Sequence, residues 1–250
     1  MIGISTLAFS NLPLRAALGE IEKMAAHAEI FSEGSHDLVH FPQNDILSDF
    51  DLSYSIHAPT LDINIASFRE NVRHAGVSVI SDSADFCMNH NIEILVVHPG
   101  YAADAGALEY AASAMHKSLA ELSKIAENTG VRLCIENMPD ADVFLFKKPC
   151  EIDFAAYSGL ECILDIGHAN TTRNLNEFLK KPIAHYHIHD NLGDKDAHLG
   201  FGNGSIGEDA LKKIVEKAKR EKAVLIAENK TIGDAKRTVS ALKKAGAADE

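Results

Sequence analysis

Histidine and carboxylate residues recur at one kind of position in this chain. His57, His98, Glu136, Asp165, His187 and Glu228 each stand in the last residues of a short apolar run. His168 follows Asp165 by three residues, and Asp196 and His198 form a D-x-H beyond the seventh such run. Imidazole nitrogens and carboxylate oxygens together are donors that Zn²⁺, Mn²⁺ and similar ions take. One histidine at the end of a strand is usually structural. Nine such residues in matching positions are the pattern of a metal or catalytic centre.

Elements must bring these residues together. Residues 2–9, 28–32, 52–57, 92–98, 131–136, 161–166, 183–189 and 223–228 read as strands, and IEILVVH and AVLIAE are continuous enough to be buried on both faces. Helical patterns cover 13–27, 66–89, 104–128, 176–180, 208–222 and 234–245, while 34–51 reads as an irregular connection. This alternation predicts a (β/α)8 TIM barrel, with residues 1–250 as a single domain. An open doubly wound sheet would carry a glycine-rich turn after its first strand, where this chain has FSNLP. In a barrel all strand C-termini share one rim, so the six strand-end ligands converge there.

Bulk properties exclude several other classes. Hydrophobic residues make up 46% of the 250 and charged residues 24%, ordinary proportions for a globular chain. A formal net charge of −12, with no basic run longer than a Lys-Lys or Lys-Arg pair, disfavours nucleic acid as a partner. Cys87, Cys134, Cys150 and Cys162 form no C-x-x-C pair, so a thiolate zinc site is not expected. MIGISTLAFS lacks a signal-peptide n-region and no run approaches membrane-span length, so the expected location is cytoplasmic, without a membrane partner.

SIHAP at His57, VVHPG at His98, CIENMP at Glu136, LDIGHA at Asp165 and His168, HIHDN at His187, DAHLGFGNGSIG at Asp196 and His198, and LIAEN at Glu228 occur in that order. In these segments the chain resembles the xylose-isomerase-like barrel superfamily, which holds sugar isomerases and epimerases and the endonuclease IV group (AP endonuclease family 2). The resemblance implies that Glu136, Asp165, His187 and Glu228 hold one metal, as in the isomerases. It also implies that His57, His98, His168, Asp196 and His198 match the further ligands of the three-zinc endonucleases. One to three divalent ions per chain, Zn²⁺ or Mn²⁺, are therefore expected, and a homodimer is compatible with the resemblance. Two features depart from the nucleases. Thr60 replaces their wedge tyrosine, though Leu61 keeps an apolar partner, and FSEGSHDLVHF after strand two contains no arginine.

Two enzymatic readings follow. The first is a sugar or sugar-phosphate isomerase or epimerase, with Glu136 and Glu228 moving the proton through a metal-stabilised enediolate. The alternative is a multinuclear zinc phosphodiesterase acting on abasic-site DNA. A non-enzymatic metal-binding or scaffold protein is the third reading. Around the ligands, His189 reads as a substrate or outer-shell contact, or as structural, and His185 as a core residue. Asn64 and Asn137 can meet substrate hydroxyls or cap turns. Lys230 can face a substrate anion or solvent. GFGNGSIG can cradle a phosphate or simply form a tight loop. His27, His36, His40, His74, His90 and His116 are expected at the surface.

Overall fold

The computed structural model describes residues 1–39 and 44–248, the side chains of 44 and 45 excepted. Eight strands pair in chain order: β1 (Ile2–Ser5), β2 (His27–Phe31), β3 (Ser53–His57), β4 (Ile94–Val97), β5 (Arg132–Glu136), β6 (Leu160–Asp165), β7 (His185–Ile188) and β8 (Val224–Ala227). All pairs are parallel, and β8 closes on β1 through Ile2–Leu225, Gly3–Ile226 and Ile4–Ala227. The chain therefore forms the expected TIM barrel. Helices α1 (Leu14–Ile21), α2 (Glu70–Asn89), α3 (Leu108–Thr129), α4 (Ile166–Thr171), α5 (Leu175–Phe178), α6 (Glu208–Glu221) and α7 (Ile232–Lys244) lie between or after the strands.

Local chemistry sets the element ends. Helix α6 carries Glu208 and Asp209 in its first turn and Lys219 and Arg220 in its last, matching the helix dipole at both ends. Its Leu211, Ile214, Val215 and Ala218 are buried, as helical spacing requires. Thr231 caps α7 by accepting from Asp234 N at 3.1 Å. Such faces cover the outside of the sheet, where each fully buried Leu or Ile contributes about 1.5–3 kcal/mol.

The structure corrects several boundaries. Strand one ends at Ser5, whose hydroxyl accepts from Leu7 N and starts a 3-10 turn over Thr6–Phe9. The first helix stops at Ile21 rather than 27. The irregular stretch holds two 3-10 turns, Gly34–His36 and Asn44–Asp49, among its described residues. His27 and His36 are buried, not superficial. His27 opens β2 inside the barrel between the hydroxyls of Ser53 (2.8 Å) and Ser55 (3.0 Å), and His36 Nε2 donates to Leu12 O at 2.8 Å. Their partners lie 24 to 28 residues away, which apolar periodicity does not report. His40 lies outside the described residues.

Strand alternation divides the barrel interior. On the β4–β6 side it is apolar, with Ile94, Val96, Cys134 and Ile163 in one small cluster. On the opposite side it is polar. Glu29 of β2, in register with Ser5 of β1 and Ser55 of β3, is fully buried beside His185 and His187 of β7.

Candidate metal centre

The C-terminal rim gathers all nine expected ligands into three groups, two of which share a residue. Donor atoms of Glu136, Asp165, His187 and Glu228 lie within 4.8 Å of one another, as do those of His57, His98 and Glu136. The third group is His168, His189, Asp196 and His198. Glu136 joins the first two groups. Its Oε2 stands 3.2 Å from His57 Nε2 and 3.1 Å from His98 Nε2, and its Oε1 stands 3.2 Å from His187 Nδ1. His187 Nδ1 is also 3.3 Å from Glu228 Oε2 and 3.9 Å from Asp165 Oδ2. In the third group Asp196 Oδ2 is 2.9 Å from His198 Nε2 and 3.4 Å from His168 Nε2.

The backbone fixes which nitrogen three of these histidines present. His57 Nδ1 donates to Ala58 O (2.9 Å), His168 Nδ1 to Asn137 O (2.8 Å) and His198 Nδ1 to Glu228 O (2.8 Å). A proton held on Nδ1 leaves the Nε2 lone pair free, and in all three rings Nε2 faces the carboxylates. His198 has a φ of +51°, a left-handed conformation sparsely populated by non-glycine residues. Asp165 caps α4 through Oδ1, which accepts from His168 N at 2.7 Å, so one turn sets two of the donors.

Charge in the cluster is balanced internally. Burial alone would raise the Glu136 pKa, but His187, His57 and His98 hold it well below the usual carboxylate range. Burial acts likewise on Glu228, and His187 holds it at about 2. Asp196 lies below its ordinary range because His168 and His198 outweigh its burial. Burial opposes a proton on His187 and on His168. Glu228, Glu29 and Glu136 nonetheless hold His187 well above its usual value, and Asp165 and Asp196 push His168 up to about 10. His98 goes the other way, burial lowering it despite Glu136.

The donor set fits a divalent cation. Among the described residues, the ion-pair partners of Glu136, Asp165, Asp196 and Glu228 are histidines and no lysine or arginine. Histidine can lose its proton and become a neutral ligand, so a cation can replace those protons without stranding charge. Asp196 Oδ1 is buried without a hydrogen-bond partner, an atom that a bound group would satisfy. Donors within 4.8 Å of one another suit metal–ligand distances of about 2.0–2.2 Å.

His189 lies inside the third donor group, its Nε2 3.0 Å from Asp165, its ring stacked on His198 at 3.9 Å between centroids. Gly167 leaves it that room, since a Cβ there would come within 1.9 Å of His189 Cε1. Lys230 lines the cavity mouth and donates to Asp196 O at 3.3 Å. Asn64 and Asn137 are committed to backbone. Asn64 accepts from Tyr101 N and donates to Tyr101 O, tying two rim loops together. Asn137 exchanges hydrogen bonds with Asp165 N (2.8 Å) and O (3.0 Å). These bonds engage both amides with backbone, the turn-shaping role that was one of their two readings. The glycine-rich run is occupied as well. Asp190 accepts from Asn191 N, Gly202 N, Gly204 N and Ile206 N at 2.9–3.1 Å, so a carboxylate of the chain itself fills the backbone cradle.

Sequence reasoning passed over two sets of residues. One is Glu29, whose single letter inside an apolar strand gives no motif. The other is the apolar wall. A cavity of about 460 Å³ opens over the ligands, bounded by Leu7, Phe31, Tyr101, Met138 and Phe144. Tyr101 and Phe144 meet through an antiparallel bridge between the β4 and β5 loops, a pairing that spacing along the chain does not announce.

A family model described as a xylose isomerase-like TIM barrel matches residues 44–245, and the chain belongs to that family. An uncharacterised protein of Methanocaldococcus jannaschii is 33% identical over 97% of this chain and 98% of its own length. The crystal structure of a D-tagatose 3-epimerase-like protein superposes with a TM-score of 0.84 at 29% identity, covering 98% of this chain and 96% of that one. A probable endonuclease 4 of Finegoldia magna is 27% identical over 61% of each chain.

Proposed function

We propose that the protein is a divalent-metal-dependent sugar or sugar-phosphate isomerase or epimerase. The observation that carries this reading is the group Glu136, Asp165, His187 and Glu228, four converging donors of which the two glutamates line a small cavity. A Zn²⁺ or Mn²⁺ ion bound there would supply Lewis-acid polarisation of a carbonyl and its neighbouring hydroxyl. The chain's own residues do the rest. Glu136 and Glu228 are held ionised by the histidines between them, ready to accept a proton from the carbon beside the carbonyl. They come from β5 and β8, three strands apart on the rim, so one can remove a proton and the other can return it. Phe31, Tyr101 and Phe144 exclude water and pack the sugar's carbon face, and Lys230 at the mouth suits an anionic group. The likeness to an epimerase-like protein supports the same reading.

A second reading is favoured by one observation. The groups around His57 and His98 and around His168, Asp196 and His198 exceed what a single-ion isomerase needs. They suit a multinuclear phosphodiesterase, which clamps and hydrolyses a phosphoester. Against a duplex substrate stand the net charge of −12 and Thr60 at the rim. Elemental analysis of the purified protein, paired with an abasic-site nicking assay, separates the two. One ion per chain without nicking supports the isomerase. Near three zinc ions per chain with nicking overturns it.

A further inference from the structure

Three site histidines take their orientation from a backbone carbonyl, but His187 does not. Its Nδ1 faces Glu136, Glu228 and Asp165, and its other nitrogen, Nε2, faces the buried side chain of Glu29. There it stands 2.7 Å from Glu29 Oε1, an ion pair whose angle makes no hydrogen bond, and neither atom has a hydrogen-bond partner among the described residues. Glu29 is fully buried. Its second oxygen is engaged by Ser55 Oγ (3.0 Å) and His185 Nε2 (2.8 Å). Ser55 continues to His27, which Ser53 holds in turn. A carboxylate inside a barrel costs several kcal/mol in desolvation unless it is paired, and apolar side chains ordinarily fill that volume. The placement also differs in kind from the carbonyl anchors of His57, His168 and His198, because Glu29 brings a full negative charge to the far side of the ring.

We infer that Glu29 is a positioning residue for the metal centre: it holds His187 with its proton on Nε2, so that Nδ1 is directed at the ion and made a stronger donor. The inference rests on the proposed metal-binding role of Glu136, Asp165, His187 and Glu228. Outer partners of ligating histidines typically change metal affinity by about 10- to 100-fold when removed.

The test measures the dissociation constant for Zn²⁺ and Mn²⁺ by chelator competition, with circular dichroism and thermal unfolding recorded on each metal-free protein. The proteins are the full chain, Glu29→Gln, Glu29→Ala and, as a ligand control, Glu228→Gln. Glu29→Gln keeps the shape and removes the charge, so it remains informative where Glu29→Ala does not fold. Expected is a weakening of about 10- to 100-fold in folded Glu29→Gln. The Co²⁺ absorption spectrum of that variant should also shift, as the His187 donor weakens. A dissociation constant within twofold of the unmodified protein, while Glu228→Gln loses the ion, overturns the role of Glu29 and leaves the metal centre standing. Failure of the unmodified chain to bind either ion overturns both.

Discussion

What anchors each histidine decides what it can do. His57, His168 and His198 are pinned through Nδ1 by carbonyls, so their Nε2 atoms are donors, while His187 presents Nδ1. Glu136 and Glu228 sit where those donors meet. Glu228→Gln, or Glu136→Gln, should lower turnover at least about 100-fold, the scale of a lost acid–base group, with the unfolding temperature little changed. Steady-state kinetics beside a melting curve checks this, and undiminished turnover places the chemistry elsewhere. His27 makes a separate prediction. Burial and the neighbouring His185 lower its pKa from 6.5 to about 3. Because the folded value lies below the unfolded one, the unfolded chain takes up the proton first. The stability at stake is fully present above about pH 6.5 and is lost as pH falls toward 3. Each pKa unit corresponds to about 1.4 kcal/mol, so His27→Gln should lose less stability than the parent between those limits in urea titrations. Parallel curves would mean His27 does not titrate in that range.

At the scale of elements, the loops after the strands carry the precision. The β7–α6 connection is built on the Asp190 carboxylate, which accepts four backbone N–H groups at 2.9–3.1 Å. Asp190→Ala strands those donors and should cost about 3 kcal/mol or more in denaturant unfolding. A cost below about 1 kcal/mol would show that water replaces the carboxylate. Gly204 closes the same cradle, since a Cβ there would lie 2.3 Å from Asp190 Oδ1. The β6–α4 turn has a similar constraint. Gly167→Ala drives a methyl into the His189 ring and should destabilise by about 1–3 kcal/mol while weakening metal uptake. Calorimetry and chelator competition on one preparation read both, and an unchanged affinity would detach His189 from the site. These devices also show what was legible in the sequence. Eight strands and the candidate ligands at their ends could be read because apolar runs and residue types are local signals. The end of β1 at Ser5 could not, because a hydroxyl bonding two residues ahead ends the strand without any break in hydrophobicity. Asn64 caps a turn through Ala66 N, as one of its two readings had it, but its bonds to Tyr101 and those of Asn137 to Asp165 span 37 and 28 positions and leave no local signal.

As a whole molecule, the barrel is an apolar shell around a half-polar lumen, capped by nine candidate ligands on one rim. The rim was legible because closing a parallel barrel brings all strand C-termini to one side. Glu29 and the wall of Phe31, Tyr101 and Phe144 were not, because which strand interiors face one another depends on register. No helix among the described residues is long and apolar enough to cross a membrane. The scale of the cavity, about 460 Å³, suits a molecule the size of a sugar or sugar phosphate. Proton transfer at the carbon beside a carbonyl is the central claim, and solvent exchange reads it directly. The protein, loaded with Mn²⁺ or Zn²⁺, is incubated in D₂O with a panel of ketoses, aldoses and their phosphates and followed by proton NMR. Deuterium should enter the carbon next to the carbonyl of at least one sugar, with its epimer or isomer accumulating, and neither change should occur with Glu228→Gln. A metal-loaded protein that exchanges no such hydrogen across the panel, yet hydrolyses a phosphodiester, would contradict that claim.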